Sequence, residues 1–376
     1  MASQRASSVF DVVVIGGGVA GLSVAATLAG RARVLLLERE ALLASHASGH
    51  NAAIYRPLED DTTSSWLAQR SLELLTHWLP APVLARTALL LVSADPERTR
   101  ALAARAAQQA VSQTWLDHHA VREAEPCLHG GEARSGLWLP DGGVLDIHAL
   151  TSGLAQRARQ RGAELRTSAG VQHIEVAHGA VSTVVLRDGT RVSAGQVVLC
   201  AGAWAAELGK LCGSRQLLTA VRRHLVQLRP DVAIAAGGPV VWRLEDEVYY
   251  RPESGGVLAS PCDQTPWPAE VAPADPGALL SLAQKLGRLA PPLASSAVQR
   301  SWACLRTFTP DRELLAGADP DVAGLHWLAG LGGRGMSVAV ATAELVAAGI
   351  LAQEPHPLLA ALSPARFSID PRGADP

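Results

Sequence analysis

The sequence predicts an α/β fold in which a discontinuous, Rossmann-like nucleotide-binding domain accompanies a second domain built on an antiparallel sheet. The first observation is a strand, a glycine loop, a helix and a second strand between Phe10 and Glu38. The second is a set of short apolar stretches between Val221 and Ser260, separated by Gly, Pro and acidic turns. The third is a glycine loop from Gly330 to Gly335 that leads into an apolar helix.

The late glycine loop favours an interleaved arrangement of the two domains. A second helix start aimed at a bound nucleotide requires the last segment to return to the first domain. We therefore assign residues 9–80, 145–215 and 308–365 to the nucleotide-binding domain, and residues 81–144 and 216–307 to the substrate domain. Two domains packed one after the other along the chain are the alternative.

The composition argues against several classes of protein. The chain has 376 residues and a formal net charge of −2, so no basic surface indicates binding to nucleic acid or to an acidic membrane. Its five cysteines are scattered and odd in number, which argues against a disulfide framework or a structural zinc site. No metal-ligand spacing, membrane-spanning apolar run or signal peptide is visible. We therefore expect a cytoplasmic protein without a metal, a nucleic-acid partner or a membrane span.

The first glycine loop has the spacing of a dinucleotide-binding motif. Gly16, Gly18 and Gly21 follow the apolar run Asp11–Ile15 in the pattern G-x-G-x-x-G. The first glycine permits a tight turn, the second lets the backbone approach a pyrophosphate, and the third lets the helix pack closely on the strand. Glu38 ends the second strand, where its carboxylate is placed to accept the ribose hydroxyls. A glycine-rich turn without a ligand is the alternative.

The residues after Glu38 favour FAD over NAD. Small polar residues suit a chain that crosses the pyrophosphate a second time, whereas an NAD domain normally proceeds to another helix and strand. The late glycine loop and its helix offer a second positive dipole end, where reduced flavin carries negative charge. An ordinary loop capping a buried helix is the alternative for that segment. The candidate FAD-binding residues of these segments are Arg39, Ser45, His46, Ser48, Asn51, Ala53, Gly330, Gly332, Gly333, Gly335 and Met336.

Motifs along nearly the whole chain carry a resemblance to a known family. They are the N-terminal glycine motif, His46–Ala53, Ala201–Trp204, Arg222–Arg223, Tyr249–Pro252, Trp302–Phe308 with Pro310–Asp311, and Gly330–Met336. Together they resemble the FAD-dependent D-amino-acid oxidase/glycine oxidase superfamily, and within it the bacterial D-arginine dehydrogenase type of D-amino-acid dehydrogenase. The resemblance implies a discontinuous FAD domain and a substrate domain whose antiparallel sheet roofs the flavin. It also implies FAD contacts at Val171, Gly202 and Trp204.

The resemblance further implies an enzyme that oxidises an amino acid. In this family a hydride is transferred to flavin N5 from the carbon that bears the amine, and an imino acid results. The expected function is therefore oxidation of the CH–NH bond of a D-amino acid, or a related amino acid, by an FAD-dependent dehydrogenase or oxidase. Neither Lys210 nor Lys285 lies in a segment placed over the flavin, which favours a dehydrogenase or a biosynthetic oxidase with a specialised substrate. The electron acceptor is left open.

Three residues are candidates for binding the substrate. An α-carboxylate requires a cation, and Arg306 resembles the family arginine whose planar fork binds that group. Tyr249 resembles the tyrosine that donates a hydroxyl hydrogen bond to the same carboxylate, and Arg223 matches another site arginine. Because neighbours in a strand face opposite sides, Tyr250 and Arg222 are expected to face away. Paired surface arginines and a half-buried core tyrosine are the alternatives.

Two further features have more than one interpretation. Cys304 lies at the spacing where sarcosine-oxidase relatives carry a cysteine bonded to the flavin, and a buried, inert thiol is the alternative. A covalent flavin would favour a secondary-amine oxidase of the sarcosine or proline type. Glu59 and Asp60 are interpreted as an exposed acidic turn, with attraction of a basic substrate as the alternative. An FAD-binding subunit of a multiprotein complex is a third possible function.

Overall fold

Residues 9–354 and 356–367 are described by the structure, which is a computed structural model. These residues form twenty β-strands and nine α-helices. The strands are β1 (Val9–Ile15), β2 (Val34–Leu37), β3 (Ile54–Tyr55), β4 (Leu84–Ala85), β5 (Leu89–Ser93), β6 (Thr114–Asp117), β7 (Ser135–Leu139), β8 (Gly143–Leu145), β9 (Glu164–Arg166), β10 (Val171–Ala177), β11 (Ala180–Leu186), β12 (Arg191–Leu199), β13 (Thr219–Arg229), β14 (Val240–Arg243), β15 (Val248–Glu253), β16 (Gly256–Ser260), β17 (Thr265–Pro266), β18 (Ala297–Phe308), β19 (Leu315–Ala318) and β20 (Leu325–Ala329). The helices are α1 (Val19–Leu28), α2 (Thr62–Trp78), α3 (Pro96–Gln108), α4 (His118–Ala124), α5 (Ile147–Gln160), α6 (Ala205–Leu211), α7 (Pro276–Leu289), α8 (Gly335–Ile350) and α9 (Leu358–Leu362).

The first sheet is mostly parallel and has the N-terminal strand at its centre. Its parallel strands lie in the order β9, β2, β1, β12 and β20. The β10–β11 hairpin pairs antiparallel with the first half of β12, and β19 pairs antiparallel with β20. All four residues of β2 are buried, as is the stretch Val12–Ile15 of β1. Continuous burial of this kind is typical of parallel strands that are covered on both faces.

Three separated parts of the chain build this sheet. Strands β1 and β2 come from the N-terminal part, β9 to β12 from the middle, and β19 and β20 from the C-terminal part. The predicted discontinuous, Rossmann-like domain is therefore confirmed, and the alternative of two domains in simple succession is wrong. The residue limits assigned to the two domains stay a prediction.

The helices of the first domain place two helix N-termini at the same edge of the sheet. Helix α1 follows β1 and helix α8 follows β20, and both strands lie parallel to β12 and directly beside it. Their carboxyl ends therefore share one edge, which is where open α/β sheets bind their ligands. Helix α8 packs against α1 and α2 through a largely buried surface of alanine and valine.

The second sheet is predominantly antiparallel, as predicted. Its strands lie in the order β17, β13, β16, β15, β14, β5, β7 and β6, and β18 pairs along the length of β13. Among the described strands of this sheet, β5 and β14 are the only neighbours that pair in parallel. Tyr250 packs into the core on one face together with Val226, whereas Tyr249 and Leu225 belong to a cluster on the other. The prediction that Tyr249 and Tyr250 point to opposite faces is confirmed.

A third, small sheet contains β3, β8 and β4, and β8 pairs antiparallel with both of the others. Within residues 9–354 and 356–367, no helix has the length and apolar character needed to cross a membrane.

Candidate functional site

A cavity of about 710 Å³ lies between the carboxyl ends of β1, β12 and β20 and the face of strand β18. Most of the residues predicted to form the site line it. The lining includes Gly16, Gly18, Glu38, Arg39, Ser45, His46, Ser48, Asn51, Val171, Gly202, Trp204, Cys304, Arg306, Gly330, Gly332, Gly333, Gly335 and Met336. The remaining predicted residues, Gly21, Ala53, Arg223 and Tyr249, are not among the residues that line it.

The first glycine loop is shaped by two close backbone approaches. Gly16 has φ +111°, and a Cβ atom there would lie 2.5 Å from the carbonyl oxygen of Cys200. A Cβ atom on Gly21 would lie 1.9 Å from the carbonyl oxygen of Gly16, so only glycine lets α1 start this close to β1. The loop therefore has the conformation that brings backbone N–H groups and a helix N-terminus to a pyrophosphate.

Ser48 closes the same corner of the cavity from the second crossing of the chain. Its Oγ accepts a hydrogen bond of 2.9 Å from the backbone N–H of Val19, in the first turn of α1. A Cβ atom on Gly18 would lie 3.0 Å from that oxygen, so glycine avoids a tight contact there. A side-chain oxygen thus lies at the helix N-terminus where a phosphate oxygen is expected to bind.

Glu38 is fixed at the end of β2 by two backbone donors. Its carboxylate accepts hydrogen bonds from Gly17 N at 2.6 Å and from Glu40 N at 2.8 Å. The side chain is buried but lines the cavity. This arrangement orients the carboxylate beside the glycine loop, and its predicted contact with a ribose stays a prediction.

Arg39, His46 and Trp204 form a cluster on the cavity wall. The guanidinium carbon of Arg39 lies 3.8 Å from the ring centroid of Trp204, and the rings of His46 and Trp204 are 4.8 Å apart. Glu40 accepts hydrogen bonds from His46 at 2.9 Å and from Arg39 at 2.8 Å. Both hydrogen bonds, with that from His46 the larger effect, hold the pKa of the Glu40 carboxyl below its usual value. The cluster presents one cation and an indole face to the cavity.

Asn51 gives the loop before β3 its shape. Its Oδ1 accepts a hydrogen bond of 2.6 Å from Ala53 N, and its Nδ2 donates one of 2.7 Å to Ser48 O. Ala53 has φ +59°, a left-handed conformation that alanine adopts only when its surroundings impose it. Ser45 Oγ donates to Leu42 O at 2.7 Å, which stabilises the start of the same loop. Ala53 therefore acts on the cavity through backbone shape.

The C-terminal glycine loop supplies the second helix N-terminus. Gly330, Gly332 and Gly333 have φ values of +63°, +59° and +100°, and Gly335 begins α8. A Cβ atom on Gly332 would lie 2.9 Å from the ring of Phe308. The positive ends of α1 and α8 thus meet at one cavity, which fits a cofactor that carries a pyrophosphate and a ring with a developing negative charge.

The register of β13 and β18 forms the roof of the cavity. Arg223 lies opposite Cys304, Val221 opposite Arg306, and Leu225 opposite Trp302. Opposed residues of an antiparallel pair share a face, so Arg223, Cys304 and Arg306 all lie on the side of the sheet that faces the first domain. Arg222 lies on the other face, as predicted, where it contacts Asp275 and the ring of Trp267.

Arg306 is a buried cation without an acidic partner. Its side chain is 7% exposed, and its Nη1 donates to Cys304 Sγ at 3.0 Å and to Leu305 O at 3.2 Å. No carboxylate among residues 9–354 and 356–367 lies within 4.0 Å of it. Burial opposes the charge of Arg306, but arginine keeps its proton in proteins, and the hydrogen bond to Cys304 Sγ raises its pKa. The guanidinium is therefore charged and available to an anion in the cavity.

Tyr249 lies in the same cluster, one layer behind the cavity wall. Its ring packs against that of Trp242 at a centroid distance of 4.7 Å. Burial raises the pKa of the Tyr249 phenol well above its ordinary value, with smaller opposing effects of Arg306 and Arg223. The hydroxyl group is thus protonated at neutral pH and able to donate a hydrogen bond.

Cys304 lines the cavity and its thiol is held in place from two sides. Its Sγ donates to His50 O at 3.2 Å and accepts the hydrogen bond from Arg306. The thiol is buried. This position is compatible with both interpretations of Cys304, attachment of the flavin and an inert buried group.

The acidic turn after β3 differs from expectation. Asp60 is exposed and pairs with Arg56 at 2.9 Å, but Glu59 is 1% exposed, so its assignment to an exposed turn is wrong. Its backbone N–H donates to Ser65 Oγ and its carbonyl accepts from Arg105 Nη2, and these two contacts hold it inward. Burial raises the pKa of the Glu59 carboxyl, although Arg56 lies 3.4 Å away.

Part of the cavity wall has no counterpart in the sequence motifs. Leu208 and Leu211 of α6, and the segment Glu270–Ala274 apart from Pro273, line it as well. The two leucines lie three residues apart, on one side of a helix that directly follows Trp204. This spacing was the signal in the sequence that could have assigned them to the cavity wall. The segment near residue 271 has no regular secondary structure, and its sequence contains no comparable signal.

The sequence matches a known protein family over most of its length. The family described as DAO, FAD dependent oxidoreductase, matches residues 11–348. The chain is 30% identical over 378 residues to the bifunctional protein ThiO/ThiG of Synechocystis sp., covering 95% of this chain and 54% of that protein. It is 28% identical over 376 residues to 4-methylaminobutanoate oxidase (formaldehyde-forming) of Paenarthrobacter nicotinovorans, covering 95% and 45%. The chain thus spans about half the length of these curated relatives.

The fold has counterparts among solved structures. The crystal structure of L-proline dehydrogenase from P. horikoshii superposes with a TM-score of 0.86 at 22% identity, covering 96% of this chain and 98% of that one. At this level of identity the similarity concerns the fold alone. Because the family match extends over most of the sequence, the chain belongs to the DAO family of FAD-dependent oxidoreductases, and FAD is its cofactor.

Proposed function

We propose that this chain oxidises the CH–NH bond of an amino acid to give an imino acid. The observation that carries the proposal is Arg306, a buried and charged guanidinium on the cavity wall without an acidic partner among the described residues. A buried cation of this kind is stabilised by an anionic ligand, and an α-carboxylate matches its planar fork. FAD, when bound, supplies the acceptor for the hydride that leaves the substrate carbon.

The residues of the roof would bind and orient the substrate. Arg306 would hold the carboxylate through two parallel N–H···O bonds, and the protonated Tyr249 hydroxyl would donate a third. The face of the sheet around them is apolar and includes Leu225 and Leu258, so it excludes water from the reacting carbon. The substrate amine must be neutral for the hydride to leave, and a proton lost to solvent suffices for this step.

The relatives support this class of reaction. The protein of Paenarthrobacter nicotinovorans is named for oxidation of 4-methylaminobutanoate, a compound with an amine and a carboxylate. For the present chain we propose a D-amino acid as substrate, on the resemblance to D-amino-acid dehydrogenases stated above.

The test is anaerobic reduction of the bound flavin by a panel of D-, L- and N-methyl amino acids. We expect at least one of them to bleach the visible absorbance of the oxidised flavin. A D form should bleach it faster than the corresponding L form. Faster reduction by the L form would remove the stereochemical part. A yellow protein that no amine reduces would favour an FAD-binding subunit of a larger complex.

A second candidate is a secondary-amine oxidase with covalently attached flavin. The observation in its favour is Cys304, which lines the cavity and whose Sγ accepts a hydrogen bond from Arg306. Flavin that remains on the chain after denaturation in acid or SDS, but not in Cys304→Ala, would establish attachment. If the unsubstituted protein releases its flavin on denaturation, Cys304 is a buried thiol without a bond to the flavin.

A further inference from the structure

Five buried arginines lie in the second sheet, and they fall into two groups. Arg222, Arg243 and Arg251 each pair with a carboxylate, on Asp275, Glu132 and Glu253 respectively. Arg223 and Arg306 have none within 4.0 Å in the part of the chain that the structure describes. The two unpaired arginines are also the two that lie on the cavity side of strands β13 and β18.

The acid whose backbone contacts Arg223 is already engaged. Asp263 accepts hydrogen bonds from the backbone N–H of His224 at 2.8 Å and from its Nδ1 at 2.7 Å. Arg223 reaches only the backbone carbonyl of Asp263, with its Nε at 3.3 Å. The carboxylate of Asp263 therefore neutralises neither unpaired arginine through direct contact.

The two guanidinium groups converge on one glycine of the cavity wall. Register places Arg223 and Arg306 as diagonal neighbours on one face of the sheet, a separation of roughly 7–8 Å between Cα atoms. A Cβ atom on Gly333 would lie 3.3 Å from Arg306 Cδ and 3.9 Å from Arg223 Nη1. Because Gly333 has no side chain, no Cβ atom separates Arg306, which lines the cavity, from Arg223, which lies next to the same glycine.

Two like charges held this close in an apolar setting repel each other, and one carboxylate compensates only one of them. The apolar residues around them include Ala52, Leu225 and Leu258, together with Tyr249 and two cysteines. A substrate with a cationic side chain would add a third positive charge there. A ligand with two negative groups would compensate both cations directly.

We propose that the substrate is a dicarboxylic amino acid, with one carboxylate bound by Arg306 and the second by Arg223. The inference rests on the proposed function, because it specifies the substrate class of the same site. The second carboxylate lies either on the side chain or on a substituent of the nitrogen, and both place two anions within one small molecule. Arg223 is then the residue that determines specificity.

The first experiment measures ligand binding without turnover. Thiodiacetate and (methylthio)acetate carry sulfur in place of the reacting nitrogen and differ by one carboxylate. Both are titrated into the FAD-loaded protein and followed by the change in flavin absorption. We expect thiodiacetate to bind about tenfold or more tightly, the scale of one additional buried charge pair. Succinate and butyrate form a second matched pair for a carboxylate on the side chain.

Variants connect the preference to Arg223. In Arg223→Gln the ratio of the two affinities should fall to near one, whereas Arg306→Gln should weaken both ligands. Arg222→Gln, which changes the neighbouring arginine on the opposite face, should leave the ratio intact. The comparison of matched ligands in the natural sequence needs no variant, so a poorly folding Arg223→Gln does not prevent the test, and Arg223→Lys retains the charge.

Three outcomes are distinct. The proposal of a second carboxylate is overturned if the two ligands of each matched pair bind equally well and both perturb the flavin. The proposed function stays intact in that case. A preference that survives in Arg223→Gln overturns the role of that residue. Carboxylates that never perturb the flavin, with no effect of Arg306→Gln, remove the proposed function itself.

Reduction of the flavin then identifies the position of the second carboxylate. Iminodiacetate carries it on the nitrogen substituent, and D- or L-aspartate and glutamate carry it on the side chain. We expect one of these groups to reduce the flavin with a higher kcat/KM than alanine or sarcosine. A monocarboxylic amino acid that is the better substrate overturns the inference.

Discussion

At the scale of single residues, the site depends on which charges have partners. Arg222 and Arg223 are neighbours in one strand, yet the first pairs with Asp275 and the second has no carboxylate within 4.0 Å among the described residues. The alternation of a strand assigns them to opposite faces, and this was predictable from the sequence. The lack of a carboxylate contact to Arg223 was not predictable, because it depends on how Asp263 and His224 pair with each other.

Arg306→Ala is expected to raise KM for the amino acid by over an order of magnitude while the protein still binds FAD. Loss of a buried charge partner for the carboxylate typically costs about 2–5 kcal/mol. Steady-state kinetics and the flavin content of the purified protein measure the two effects. Arg222→Ala serves as the control and should leave KM unchanged. Unchanged kinetics in Arg306→Ala would remove its assignment.

Glu59 gives a prediction about pH. Burial raises its pKa in the folded protein above the usual 4.5, so between the two pKa values the folded state binds more protons than the unfolded state. Stability therefore falls as pH rises through that window, and the loss persists above it. Glu59→Gln should raise Tm at pH 8 by more than at pH 4.5.

Asp60→Asn is the matched control for Glu59. Arg56 lowers the pKa of Asp60, so ionised Asp60 contributes stability above its usual 3.8 and loses it in acid. This variant should lower Tm at neutral pH, and the difference should shrink toward pH 3. Thermal unfolding across pH measures both signs. The same pH trend in both variants would contradict the buried state of Glu59.

At the scale of elements, the two helix starts were predictable and the rest of the cavity wall was not. Glycine spacing identified the loops before α1 and α8 because a close backbone approach permits no other residue at Gly16 and Gly21. The burial of Glu59 depends on Arg105, which lies far along the chain, and local periodicity contains no such information. The irregular segment at residues 270–274 escaped prediction for the same reason.

Gly21→Ala is expected to displace α1 and reduce FAD binding. The added Cβ would lie 1.9 Å from Gly16 O, so the helix must move away from the strand that it packs on. Gly349→Ala in α8 is the control: nothing lies within 4 Å of the added atom, and alanine should stabilise the helix by about 0.5–1 kcal/mol. Thermal unfolding and flavin content report both. Normal FAD content in Gly21→Ala would contradict the proposed tight approach.

At the scale of the whole molecule, the cofactor cavity lies between two sheets that the chain enters repeatedly. Phe308, the last residue of β18 in the roof, lies against the C-terminal glycine loop at the floor of the cavity. Arg334 beside that loop pairs with Asp61, at the start of α2, at 3.1 Å. Separate unfolding of either sheet would break these connections. We therefore expect the described part of the chain to unfold cooperatively, with FAD bound to the folded form alone.

FAD should shift the whole unfolding transition and leave it single. At a concentration about 100 times its Kd, a ligand of the folded state contributes about 2.7 kcal/mol. With an unfolding entropy of roughly 2.1 cal/mol/K per residue, a chain of this length gains about 3 °C in Tm. Calorimetry of the apoprotein at increasing FAD concentration measures this shift. Two transitions, of which FAD moves only one, would mean that the sheets unfold independently and that the cavity between them contributes little to their association.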